Sequence, residues 1–94
     1  MNILLLDEQT IDTTGTQETA DFNGGTGVAA ATGVFDGCTV KLQCFVDGSW
    51  VDLGTNTTFT TNGIGGFQLP AGYTLRGSVS SAGASTSVNL RVTV

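Results

Sequence analysis

Ninety-four residues make one domain, and a chain of that size buries only about 60–65% of the surface its unfolded form exposes, so docking on a partner or a copy would add stability. Eight acidic against three basic residues give a net charge of −5, which argues against nucleic acid, whose phosphates call for Lys and Arg, and against an anionic membrane surface. Charged residues make up 12% of the chain, half the usual share of about 25%. Thr, Gly and Ser fill the space and give a polar surface that loses little ionic hydration when covered.

The chain opens with an apolar run, Ile3-Leu4-Leu5-Leu6, followed at once by Asp7 and Glu8. The run is too short, and lacks the basic flank, for a signal peptide or a membrane span. Four consecutive apolar residues cannot share one face of a strand. Either both faces are covered in the domain's own sheet, or the run lies across a partner. Asp7–Asp21 is rich in acids and Thr with little period, and reads as an extended arm or a weak strand. Asn23-Gly24-Gly25-Thr26-Gly27 is a hinge. The organisation is therefore an N-terminal arm, residues 1–24, and a β domain, residues 25–94.

Val28–Phe35 is the first expected strand of that domain; a helix through Ala29-Ala30-Ala31 would be very short and pinned between glycines. Cys38–Val46 alternates Cys38, Val40, Leu42, Cys44 and Val46 against Thr39, Lys41 and Gln43, with Phe45 out of pattern. Asp47-Gly48-Ser49 turns it into Trp50–Leu53. Thr57–Thr61 follows, then a hairpin signal at Asn62-Gly63, then Ile64–Leu69 and a turn at Pro70-Ala71-Gly72. Tyr73–Ser80 and Thr86–Val94 complete the set with clean period-2 alternation. About seven short strands at this spacing predict an all-β fold, an antiparallel β-sandwich or barrel. Its core should gather Trp50, Phe35, Phe59, Phe67 and Tyr73.

Cys38 and Cys44 fall on one face of one expected strand, roughly 20 Å apart, whereas a disulfide needs Cα atoms within about 7 Å. They read as buried, reduced thiols, in keeping with folding in a reducing cytoplasm. With no His in the chain, neither a zinc site nor the commonest general base is available. No Ser has an activating neighbour, so no enzymatic activity, cofactor or metal is expected. Asp47 and Asp52 flank Trp50 in a way that suggests paired glycosidase carboxylates, but Asp in an Asp-Gly turn has a backbone reason to be there. Gly25-Thr26-Gly27-Val28-Ala29-Ala30 fits G-x-G-x-x-A without the strand before it and the helix after it that a dinucleotide site requires. Asp7, Glu8 and Asp12 lack calcium-loop spacing. Asn56-Thr57-Thr58 matches a glycosylation sequon and reads as a polar turn. Lys41 reads as a solvated lysine on the polar face.

The wording Gly33-Val34-Phe35-Asp36-Gly37-Cys38-Thr39-Val40-Lys41-Leu42-Gln43, then Asp47-Gly48-Ser49-Trp50-Val51-Asp52-Leu53, then Phe67-Gln68-Leu69-Pro70-Ala71-Gly72-Tyr73-Thr74-Leu75-Arg76 and Ser85-Thr86-Ser87-Val88 resembles small virion proteins of tailed bacteriophages, of the head decoration or cement type. Residues 1–24 carry none of these motifs. The resemblance implies a structural protein on the capsid exterior, assembled in the host cytoplasm, with the major capsid protein as partner and a homotrimer as its assembly by analogy with other decoration proteins. Ile3, Leu4, Leu5 and Leu6 would then lie on the capsid protein or a neighbouring copy, and residues 1–12 would be removable without unfolding the domain. The alternative is a carbohydrate- or receptor-binding module of a phage tail or fibre, which would display Trp50 or Tyr73.

Overall fold

The chain runs through β1 (Asn2–Gln9), β2 (Thr19–Phe22), β3 (Gly25–Val34), β4 (Thr39–Val46) and β5 (Ser49–Asp52), then a 3-10 turn at Thr55–Thr57. β6 (Thr58–Phe59), β7 (Gly63–Leu69), β8 (Tyr73–Ser80) and β9 (Ser87–Thr93) follow. A computed structural model describes residues 2–12, 19–22, 25–70 and 72–93, with backbone placement alone for 2, 3 and 19–22. The strands form two antiparallel sheets packed face to face, a β-sandwich. The first sheet runs β1-β9-β3-β7; the second runs β2-β8-β4-β5, with β6 also paired to β4.

The core lies between the sheets and is aliphatic. Leu5, Leu6, Leu42, Leu75, Leu90 and Val40 are among its fully enclosed side chains. The alternation read in β4, β8 and β9 holds: Val40, Leu42 and Cys44, then Leu75, Gly77 and Val79, then Val88, Leu90 and Val92 all point inward. In β3 the inward residues are small, Gly27, Ala29 and Ala31, and Phe67 of β7 leans into the gap this leaves. A Cβ on Gly27 would lie 2.6 Å from the Phe67 Cζ. Phe35 and Phe59 are buried, and Phe67 and Tyr73 pack against the core half-covered. Trp50 is different: it is half-buried on the outer face of the second sheet, opposite Phe45, which corrects its expected place in the core.

The N-terminal run is a second correction. Residues 2–9 are the edge strand of the first sheet, not a detached arm, and residues 19–22 pair with β8 in the second. The register with β9 slips between Leu4 and Leu6, where Leu4 faces Arg91 and Leu6 faces Leu90. Such a β-bulge inserts one residue and lets two neighbours point the same way. Leu5 and Leu6 therefore both enter the core, at 0% and 1% exposure. Leu6 fills a notch opposite Gly77, where an added Cβ would come 2.7 Å from the Leu6 Cγ.

Turn chemistry explains the connections. Asp47 and Gly48 both adopt positive φ, at 49° and 83°, the conformation that matches the twist of a two-residue hairpin between β4 and β5. Asn62-Gly63 does not make the expected hairpin, because β6 and β7 belong to different sheets. The Asn62 side chain instead accepts the Gly33 N–H at 2.9 Å and ties this crossover to β3. The β8–β9 connection is held by two carboxylates: Asp12 accepts the Ala82 N–H at 2.7 Å and Asp36 the Ser85 N–H at 2.9 Å. Buried Thr86 donates to the Phe35 carbonyl and accepts from the Gly83 N–H, so its hydroxyl is satisfied.

Leu6→Ala should lower stability by about 2–5 kcal/mol, the cost of a large-to-small change at an enclosed site, read as the midpoint shift in urea unfolding. Gly77→Ala should also destabilise, by about 1–3 kcal/mol through overpacking against Leu6. Deleting residues 1–12 should abolish cooperative unfolding, and a truncated chain with an unchanged midpoint would contradict this packing.

Candidate functional site

Of the four residues expected to meet a partner, Leu5 and Leu6 are committed to the core and cannot contact another molecule while the sandwich is intact. The side chain of Ile3 lies outside the described residues. Leu4 is half-buried and shares the outer face of the first sheet with Arg91, its cross-strand neighbour. The register continues the row across the sheet, from Arg91 to Ala30 and from Ala30 to Ile64. Parallel rows place Thr93 beside Val28 and Gly66, Asn89 beside Thr32, and Ser87 beside Val34. Val28, Val34 and Ile64 are exposed at 42%, 55% and 75%. The face is thus a mosaic of aliphatic, hydroxyl and glycine positions. A hollow of about 380 Å³ on it is lined by Leu4, Asp7, Ala30, Thr32, Asn89 and Arg91.

The outer face of the second sheet has another character. β4 sets Thr39, Lys41, Gln43 and Phe45 outward; β5 adds Trp50 and Asp52, and β8 adds Arg76. The register aligns Arg76, Gln43 and Asp52 in one row. Arg76 Nε donates to Gln43 Oε1 at 2.8 Å, and Gln43 Nε2 donates to Asp52 Oδ1 at 2.7 Å. Lys41 Nζ reaches Asp52 Oδ2 at 3.2 Å, so this lysine is ion-paired rather than simply solvated. The Arg76 guanidinium stacks over the Trp50 ring at 4.4 Å. Phe45 meets the same ring edge-on at 5.2 Å between centroids. The Gln43 hydrogen bond, against a smaller opposing effect of burial and with help from Lys41, holds the Asp52 carboxyl below its usual range. Partial burial lowers the Arg76 guanidinium from its ordinary value.

Chemically this platform orients and stacks; it has no nucleophile beside a base. Asp52 is occupied by Gln43 and Lys41, and Asp47 serves the hairpin turn at positive φ. Burial pushes both the Cys38 and Cys44 thiols up, which keeps them protonated and poorly nucleophilic; both are free and buried. Among the described residues, no three His, Cys, Asp or Glu side chains gather as a metal would need. No described helix is long and apolar enough to cross a membrane. A groove of about 520 Å³ runs along Thr55–Asn56 and Thr58–Gly66 and is lined by hydroxyls, amides and glycines around Phe59 and Ile64. Asn56 is exposed in the 3-10 turn there, and its carbonyl oxygen occupies the place a Cβ of Gly65 would take.

Sequence reasoning missed the Trp50–Arg76 pair. The outward position of Phe45 was the available signal, since its cross-strand neighbour had to share that face.

The carboxylate at the centre of the platform gives a pH test. The folded state holds Asp52 below its unfolded value; its stabilisation is therefore present above that unfolded value and is lost as pH falls through the folded one. Asp52→Asn should lower the thermal midpoint near neutral pH by a small amount, within about 1 kcal/mol for so exposed a pair. The difference from the parent should vanish at strongly acidic pH; a difference that persists there would contradict the assignment.

No protein-family model, no curated protein and no solved structure matches this chain, so its function has to be argued from these two faces and from the motifs they carry.

Proposed function

We propose that this protein is a bacteriophage head decoration protein that binds the exterior of the capsid through the outer face of the first sheet and stabilises the shell by burying additional interface. The observation that carries this reading is the make-up of that face. It spans all four strands of the sheet, its aliphatic side chains Val28, Val34 and Ile64 are exposed, and Asp7 and Arg91 share one hollow on it. Covering such a face removes apolar surface from water at about 25 cal/mol per Å² and strips hydration from few ions. The resemblance to cement proteins supports the same reading. Its Asp47-Gly48 and Asp36-Gly37 motifs occupy turns, and its Val40, Leu42 and Leu75 positions lie in the core.

A second reading draws on the other face. Trp50 lies outward beside Gln43, Asp52 and Arg76, an aromatic ring with amide, carboxylate and guanidinium groups around it. A stacking surface with a few orienting polar groups suits a sugar ring, as a carbohydrate-binding module of a phage tail or fibre would need.

The two readings separate cleanly. With purified capsids that lack the protein, Thr32→Arg and Val28→Arg should abolish co-sedimentation while circular dichroism stays native, and Trp50→Ala should bind as the parent does. Loss of attachment in Trp50→Ala with retention in Thr32→Arg, together with a positive glycan array, would overturn decoration in favour of the second reading.

A further inference from the structure

The Asn62-Gly63 pair forms no hairpin, and neither outer face of the sandwich uses its chemistry. In an Asn-Gly pair the backbone nitrogen of the glycine can attack the asparagine side-chain amide, because the glycine carries no Cβ to obstruct the approach. The structure places both reactants. Asn62 is exposed in the crossover between β6 and β7, and its Oδ1 accepts the Gly33 N–H at 2.9 Å. Gly63 opens β7 and makes the last pair of the ladder with β3, opposite Ala31. A Cβ at residue 63 would lie 3.1 Å from the Phe59 ring, so the packing itself calls for glycine there.

Two tendencies meet at this point. The Gly33 hydrogen bond tethers the Asn62 amide to β3, and the pairing with Ala31 holds Gly63 in the strand. Both ties hold the reactants in place while the crossover is closed. Yet the end pair of a ladder opens at a small fraction of the free energy of global unfolding. The residues before it, Thr60, Thr61 and Asn62, are all exposed, so opening the crossover there uncovers no core.

We propose that Asn62 is a site of spontaneous deamidation gated by the Gly33 hydrogen bond: the closed crossover shields it, and opening of the Ala31–Gly63 end lets it react. On opening, the Gly63 nitrogen attacks Asn62 Cγ. The new N–Cγ bond forms, the Cγ–Nδ2 bond breaks, and the proton shed by the Gly63 nitrogen balances the one Nδ2 takes up as it leaves as ammonia. Water then opens the cyclic imide. Addition at Cγ gives aspartate; addition at the main-chain carbonyl gives isoaspartate. The two products act differently on the fold. Aspartate keeps an oxygen for the Gly33 N–H and brings a charge to a groove whose lining residues carry none. Isoaspartate routes the main chain through the side-chain carbon, which lengthens the crossover and leaves a carboxylate too short to span to Gly33. This inference does not depend on the capsid reading.

Peptide mapping of the full chain during prolonged incubation at mildly alkaline pH tests it, because an amide that becomes an acid gains mass. Trypsin leaves Asn62 in the fragment Leu42–Arg76 and the sequence's other Asn-Gly pair, Asn23-Gly24, in Met1–Lys41; fragmentation of the peptide separates Asn62 from Asn56. Asn62 should convert in the folded protein, more than about tenfold slower than in the chain unfolded in urea, since only the open fraction reacts. Urea below the unfolding midpoint should speed conversion in step with deuterium exchange at the Gly33 amide, which reports the same opening. That amide should lose its protection in the isoaspartate product and keep it in Asn62→Asp. Asn62→Gln should stay unmodified over the same period, because its cyclisation needs a larger ring. Conversion at equal rates in folded and unfolded chains would remove the gate, and conversion confined to the unfolded chain would remove the site. Either result overturns the proposal, as does a conversion rate that does not follow Gly33 exchange.

Discussion

The contact between Leu6 and the notch at Gly77 joins β1 of the first sheet to β8 of the second. A sandwich of this size has an aliphatic core one side chain deep from each sheet, so every inward position counts. β1 supplies two consecutive leucines where strict alternation would supply one. The bulge that makes this possible costs one ladder pairing and gains an enclosed side chain worth roughly 1.5–3 kcal/mol. Gly77 completes the exchange from the opposite sheet, since no larger residue leaves room for Leu6. The same bulge breaks the outer edge of β1, so a device that packs the core also guards the sheet against pairing.

The two outer faces divide the remaining chemistry between them. The first sheet shows short and aliphatic side chains, with Asp7 and Arg91 together in one hollow. The second gathers Lys41, Arg76, Asp52, Trp50 and Phe45 into a connected patch whose members hold one another in place. A face whose polar groups already have partners is costly to re-solvate or displace, and selects for ligands that stack rather than extract. A face of Ala, Thr, Val and Gly has little internal organisation to lose when it is covered.

Most of the architecture was legible because strands with one buried face write their register into the sequence. Val88, Leu90 and Val92 could only be inward together, and so could Val40, Leu42 and Cys44. Two kinds of information were not legible. A bulge has no period, so Ile3–Leu6 read as a run without a face although Leu5 and Leu6 belong to the core. And alternation tells which residues share a face without telling which strands share a sheet, so Asn62-Gly63 read as a hairpin when its asparagine anchors a crossover. Trp50 failed for a related reason: its size favoured the core, while its partner Phe45, already out of pattern on β4, fixed it outside. The candidate surfaces depended on these same sheet assignments, which is why the apolar run drew attention and the Trp50 platform did not.

The position of β9 sets the order in which the molecule can be made. It lies between β1 and β3 in the first sheet, with Asn2 opposite Thr93 and Val28 opposite that same residue. Neither β1 nor β3 has this neighbour until residues 87–93 have left the ribosome. A chain emerging at about 5–20 residues per second therefore spends seconds with Leu5, Leu6, Ala29 and Ala31 lacking their strand, and a topology so dominated by distant pairings closes late and slowly. During synthesis, the five acids clustered between residues 7 and 21 travel beside that exposed apolar run, and their mutual repulsion keeps neighbouring nascent chains apart until the last strand slides into place.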